Sequence, residues 1–286
     1  MTRETRTNRI WETAVATVVL LGANFPAAGG ATGDAGAIAG ITAAPGVAYT
    51  VFASNLSGPR GLLANQDGSL SVAEETAGRV VRITSAGRIV QIADGLKGPH
   101  DLDSDAHGNL YVAETGRNRI AQITPNGVVR SYIEGLNAPV DLAFNPQGEL
   151  LVCEFSGERV IAFKSPTDKR IVISGFRPHG LAFPRSGATI VNDITGSRVV
   201  RVSLDGKVDV IATKVELPIG VVIGPSGDLY VAARNAGQLL RITLSGSRTV
   251  LLYGLTTPRD PAFNAKGELF VAESDAGRVL KVTGRF

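Results

Sequence analysis

The sequence predicts an all-β fold: a six-bladed β-propeller with four-stranded blades, in which an N-terminal strand completes the last blade. Three observations predict it. A proline recurs at Pro59, Pro99, Pro139, Pro178, Pro218 and Pro258, in steps of 40, 40, 39, 40 and 40 residues. A glycine stands nine residues after each proline, at Gly68, Gly108, Gly148, Gly187, Gly227 and Gly267. The last unit is one strand short, and the missing strand is found at the start of the repeats.

The elements follow in order within each unit. After the glycine comes an apolar run: "LSVAE", "LYVAE", "LLVCE", "TIVND", "LYVAA" and "LFVAE". Next come "RVVRI", "RIAQI", "RVIAF", "RVVRV", "QLLRI" and "RVLKV". Such short β-branched runs, bounded by Gly, Asn, Asp and Pro, read as strands. Four of them in ~40 residues is the period of a propeller blade. Helix-pair repeats of that length need a 3.6-residue periodicity, which the chain lacks. The chain stops at "GRVLKVTGRF", after three strands of the sixth unit. "VAYTVFASNL" (47–56) resembles the closing strands "GVVRSYIEGL" and "KVDVIATKV", and it is the predicted missing strand. Closing the ring removes the free edges of an open sheet.

Residues 47–286 are therefore expected to form the propeller. Ahead of them, 30–46 read as a Gly/Ala-rich linker. Residues 1–29 place Arg3, Arg6 and Arg9 before an apolar run and then small residues, the order of a signal peptide, with a disordered tail as the other reading. The apolar run is shorter than the ~20 residues a spanning helix needs. The expected location is secreted, periplasmic or cell envelope, and the expected state a monomer. Net charge is only +3, with no Lys/Arg run interleaved with aromatics, which argues against nucleic-acid binding. One cysteine, Cys153, excludes an internal disulfide and a cysteine-built zinc site; its place in a strand reads as core. His107, in the turn "DAHGN", reads as exposed.

Two rings of equivalent positions carry the candidate chemistry. The slot 15 residues after each proline holds Glu74, Glu114, Glu154, Asp193, Ala233 and Glu273. Five residues further stand Arg79, Arg119, Arg159, Arg198, Gln238 and Arg278. The one blade that loses the acid, at Ala233, also loses the arginine, at Gln238. Joint loss predicts that each acid pairs with the arginine of its own blade, a structural role. The post-proline ring is different: Arg60, His100, Val140, His179, Ile219 and Arg259. A slot that only served the core would be filled alike in every blade. Val140 and Ile219 read as filler. His100 and His179 lie two blades apart, and Arg60 and Arg259 are neighbours across the closure. On the first strand, which lines the channel, they predict an electropositive, desolvated pocket for a small anion. Asp101, Asp141 and Asp260 follow this slot; Asp101 and Asp260 are expected to take part in ligand binding by orienting the adjacent His and Arg, with solvated turn acids as the other reading.

The frame P-x-[GD]-L…G-x-L-Y-V-A-[ED]…R-[IV] resembles the NHL-repeat propellers over 47–286. It is also similar to the wider group of gluconolactonases, strictosidine synthase-like proteins, streptogramin lyase and the amidating lyase for peptidyl-hydroxyglycine. Gluconolactonases set Glu, Asn and Asp in the post-proline slots for calcium; here those slots carry Arg60, His100, Val140, His179 and Ile219. The amidating lyase holds zinc with three histidines on alternate blades. His100 and His179 match two of them and Arg60 its substrate arginine, while Arg259 stands at the third. That resemblance implies a divalent metal such as zinc at His100 and His179, with Glu114 or Asp193 left to complete the shell. "RPHGLAF" resembles the proton-abstracting element of streptogramin lyase, which implies His100 and His179 as catalytic base and acid beside an arginine that holds an oxyanion.

Two functions stay open. One is a lyase or hydrolase acting on a small anionic or ester- or lactone-like molecule. The other is a non-catalytic scaffold that binds a protein or glycan on a propeller face; the absence of long insertions between strands favours it.

Overall fold

In the computed structural model, which describes residues 38–284, each unit becomes one antiparallel sheet. The signal-like segment 1–29 lies outside the described residues. Blade two shows the pattern: Pro99–Ser104 innermost, then Leu110–Glu114, Arg119–Ile123 and Val129–Ile133 outermost. Blade six consists of Pro258–Phe263, Leu269–Glu273, Arg278–Gly284 and, as its fourth strand, Val47–Ala53. The register of that closure runs from Val47 opposite Gly284 to Ala53 opposite Val279. Innermost strands touch their neighbours all the way round, and Pro258–Phe263 meets Pro59–Ala64. A six-bladed propeller is the result. Among the described residues no helix is long and apolar enough to cross a membrane.

The strand sequences explain their positions. Second strands such as Leu70–Glu74 and Leu150–Glu154 are buried along their whole length, because blades stack on both faces. They are correspondingly mostly apolar, ending in the acid, rather than alternating. Outer strands such as Val208–Ala212 alternate, with one face in water. The glycine nine residues after each proline sits in the hairpin between first and second strands at φ of 75 to 88°. That left-handed turn position favours glycine.

Two local devices position the channel. In every blade the register between first and second strand slips just after the proline, between Pro59 and Leu62, Pro99 and Leu102, Pro139 and Asp141, and so on round the ring. A bulge of this kind re-aims side chains. It turns the first and second post-proline residues towards opposite ends of the channel. The second device is the acid at the end of the second strand. Glu74, Glu114, Glu154 and Glu273 are fully buried. Each accepts from the arginine of its own blade, as in Arg119 Nε to Glu114 at 2.6 Å and Arg159 Nε to Glu154 at 2.5 Å. Each also accepts from the backbone N–H that leads into the first strand: Ser57, Lys97, Asn137 and Thr256 respectively. Asp193 meets Arg198 at 2.7 Å, but its shorter side chain leaves Oδ1 without a partner among the described residues.

The packed part begins earlier than Val47. Thr42–Ala43 adds a fifth strand to blade five, opposite Tyr253 and Leu252. Ile41 is buried in the cluster of Tyr230, Leu239, Leu252 and Leu280. The Tyr49 hydroxyl donates to the Ile41 carbonyl and accepts from the Ile38 N–H. Ile38 and Ile41 give this end of the Gly/Ala-rich stretch the apolar surface that its composition as a whole lacks.

Removing one partner of a buried, hydrogen-bonded ion pair costs ~3–5 kcal/mol. Glu114→Ala is expected to lose about that much in denaturant unfolding, and Glu216→Ala, on an exposed loop, less than ~0.5 kcal/mol. Equal small losses would show that the acid clamps are dispensable.

Candidate functional site

The bulge brings Arg60, His100, His179 and Arg259 together at one end of the channel, where they line a cavity of about 290 Å³. His100, His179 and Arg259 are buried, and Arg60 nearly so. The two imidazoles face each other with ring centroids 5.0 Å apart. Arg60 Nη1 lies 2.7 Å from His100 Nε2. A guanidinium only donates, so Nε2 is the acceptor and the ring proton sits on Nδ1. Arg60 also forms an ion pair with Glu75. Arg259 enters no ion pair among the described residues, and its Nε is buried without a hydrogen-bond partner.

Burial and like charge set the protonation of this cluster. Burial, then His179 and the two arginines, holds His100 well below the ordinary imidazole range. Burial and Arg259 bring His179 down to about 3. Burial, Arg60 and Arg234 lower Arg259 to about 9, against the smaller opposing pull of Glu75 and Asp275. At neutral pH the cluster is thus two neutral imidazoles among guanidiniums with a deficit of negative charge.

Asp101, Asp141 and Asp260 sit at the waist of the channel and line the cavity of about 220 Å³ on its other side. Their carboxylates do not orient His100 or Arg259. They reach across to the next blade: Leu62 N–H donates to Asp260 at 3.1 Å and Leu142 N–H to Asp101 at 3.4 Å. The preceding blade makes room with a glycine. A Cβ on Gly61 would lie 2.4 Å from Asp101 Oδ1, and one on Gly220 2.3 Å from Asp260 Oδ1. Burial first, then mutual repulsion, raises Asp101 and Asp141 well above the usual carboxylate range. Burial alone lifts Asp260 to about 7 against the Leu62 hydrogen bond.

The zinc expectation fails on the donor set. Glu114 and Asp193 are taken by arginines. Among the described residues no group of three His, Cys, Asp or Glu side chains converges to hold a metal. Two imidazoles flanked by guanidiniums fall short of the three or four donors zinc needs, and the flanking charge repels a cation. Cys153 is buried in the core and His107 is exposed.

One set of residues was not singled out by the sequence reading. The position after each acid, Glu75, Thr115, Phe155, Ile194, Arg234 and Ser274, forms a third ring. Phe155, Ile194 and Arg234 line the cavity, and Glu75 pairs with Arg60. Its signal was the one that exposed the post-proline ring: variable chemistry at a fixed place in a constant frame.

No protein-family model matches the chain, and no curated protein matches it in sequence. Solved structures do match. A streptogramin B lyase aligns with a TM-score of 0.67 and 16% identity, over 84% of this chain and 98% of that one. A gluconolactonase from Xanthomonas campestris aligns with a TM-score of 0.75 and 16% identity, over 84% and 90%. The PQQ-bound aldose sugar dehydrogenase from Streptomyces coelicolor gives 0.70 and 15%, over 85% and 100%.

The buried carboxyls and imidazoles make opposite contributions to stability. Asp260 titrates near 3.8 unfolded and about 7 folded. Between those values only the folded state holds the proton, so its contribution is complete below the unfolded value and is lost as pH rises through 7. His179, near 6.5 unfolded and about 3 folded, loses its contribution as pH falls through that window. Asp260→Asn keeps an acceptor for Leu62 and removes the titration. Its stability relative to the unsubstituted protein is expected to improve by roughly 4 kcal/mol between about pH 4 and about pH 8. A pH-independent difference in urea unfolding would show that Asp260 does not carry the proton. At these identities the likeness to the solved structures is one of fold: the chain shares the β-propeller architecture with the lyase, gluconolactonase and sugar dehydrogenase structures.

Proposed function

We propose that this chain is a secreted or cell-envelope, NHL-type propeller that binds a small anionic or ester- or lactone-like molecule between Arg60, His100, His179 and Arg259, and acts on it as a lyase or hydrolase. The observation that carries the reading is Arg259, buried beside two neutral imidazoles in a cavity of 290 Å³ and in no ion pair among the described residues. Burying a guanidinium without a hydrogen-bonded counter-ion is expensive; Glu75 and Asp275 offset its charge only from beyond ion-pair distance, and an anionic ligand supplies the direct partner. The basic, apolar, small order of residues 1–29 supports export, and the protein works as a monomer. The structural neighbours include a streptogramin B lyase and a gluconolactonase, enzymes of small molecules, which agrees with this class.

His179 is the base, because His100 already offers Nε2 to Arg60. An imidazole near 3 is a weak base until negative charge arrives. A bound anion or developing enolate beside it raises its proton affinity. The imidazole takes a proton from the carbon next to the carbonyl, or from an attacking water. Arg259 holds the resulting oxyanion, and the imidazolium returns the proton to the leaving group. A second reading, a non-catalytic protein- or glycan-binding scaffold, is favoured by the exposed Leu204, Val208 and Val210 at the rim of blade four and Ile171 at that of blade three.

Calorimetric titration with succinate, in buffers of different ionisation enthalpy, tests the site. Binding is expected with net proton uptake near pH 6, and Arg259→Gln is expected to weaken it tenfold or more, as loss of a charged hydrogen bond of ~1.5–3 kcal/mol implies. A panel of esters and lactones then separates the readings. Turnover lost in both His100→Asn and His179→Asn supports the enzyme, whereas binding without turnover supports the scaffold.

A further inference from the structure

The cavity that holds the cations is chemically two-sided. Arg234, Arg259 and Arg60 stand on blades five, six and one. Facing them, Val140 and Phe155 come from blade three, Ile194 from blade four and Ile219 from blade five. Leu217 joins this apolar side from the turn that leads into blade five. His100 and His179 stand between the halves. The apolar wall is not simply core turned inward: Phe155, Ile194 and Leu217 are only half-buried and keep surface towards the cavity.

Leu217 adds an independent observation. It occupies the residue before the proline, where the backbone takes a left-handed turn at φ 52°. The same left-handed slot holds Gly58, Gly98, Ala138 and Thr257, at φ of 49 to 65°, so Leu217 is the one large apolar side chain among them. A left-handed conformation costs a non-glycine residue ~1–2 kcal/mol. The chain bears that cost with a large apolar side chain, and the side chain lines the cavity. Arg234 is the complementary case: in the third ring it supplies the cation that helps depress Arg259, and among the described residues it enters no ion pair.

We propose that the ligand is an amphiphilic carboxylate, with its head between Arg234 and Arg259 and an aliphatic or aryl tail against Phe155, Ile194 and Leu217. This deepens, and rests on, the anion-site reading above. A cavity of 290 Å³ is at the small end of ordinary ligand pockets of ~300–1,000 Å³, so the tail is short. The head satisfies the buried charge; the tail covers the apolar surface that Phe155, Ile194 and Leu217 leave open to the cavity.

Calorimetry of the full chain against succinate, the n-alkanoates from butyrate to octanoate, and 3-phenylpropionate tests this. The dissociation constant is expected to fall about fourfold per methylene, the equivalent of ~0.8 kcal/mol for each buried CH₂. Arg234→Gln is expected to weaken every member by a similar factor and leave that slope intact. Phe155→Ser and Ile194→Ser, at half-buried positions, are expected to flatten the slope and spare succinate. Leu217→Gly is expected to hold or raise the melting temperature while weakening octanoate binding, a combination that a structural role for the leucine does not produce. Succinate and butyrate binding with no chain-length dependence overturns the amphiphilic ligand and leaves the anion site standing. Failure of every anion to bind overturns the anion site itself.

Discussion

Closure of the ring is the constraint on which everything else in this molecule depends. Six blades share an axis only if the first and last are joined. Here the join is made by residues far apart in sequence: Val47–Ala53 completes blade six, and Asp260 of blade six accepts from Leu62 of blade one. The channel exists because of that join, and the channel is what removes water from the residues after each proline. Arg60 and Arg259, which carry much of the site's charge, lie on either side of the seam.

Desolvation then acts in opposite directions on two layers only one residue apart in sequence. The bulge after each proline aims one residue to the funnel and the next to the waist. In the funnel, burial favours neutral imidazoles and lowers even a guanidinium; at the waist, burial favours protonated carboxyls. Acid and base do not neutralise each other, because burial favours the protonated form of the waist carboxyls, whose oxygens accept from backbone N–H groups of the next blade. The positive charge of the funnel is therefore not offset from the waist, and the site's polarity follows from backbone geometry.

The fold was legible because the repeat writes it out six times. The fixed proline, the hairpin glycine and the acid with its arginine each serve one local need, and each recurs at the same spacing. The joint loss at Ala233 and Gln238 was enough to predict the ion pairs of the other five blades. The funnel was half legible. The post-proline ring stood out by its variability, whereas Phe155, Ile194 and Arg234 hid behind an acid ring whose constancy drew attention away from the residue after it. Asp101 and Asp260 were placed with the wrong neighbours, since adjacency in sequence says nothing about which way a bulged strand turns its side chains. Ile41 was overlooked because a single apolar residue among glycines and alanines carries no periodicity.

By itself the sequence determined the number of blades, the strand order within them, the closing strand and the acid–arginine clamps, because these are local patterns copied from unit to unit. Only the tertiary structure decided the protonation of His100 and His179, the burial of Arg259 among other arginines, the reach of Asp260 to Leu62 and the two-sided wall of the funnel. Each of these depends on distances between blades and on how much water a closed ring excludes, and neither quantity is written in any one repeat.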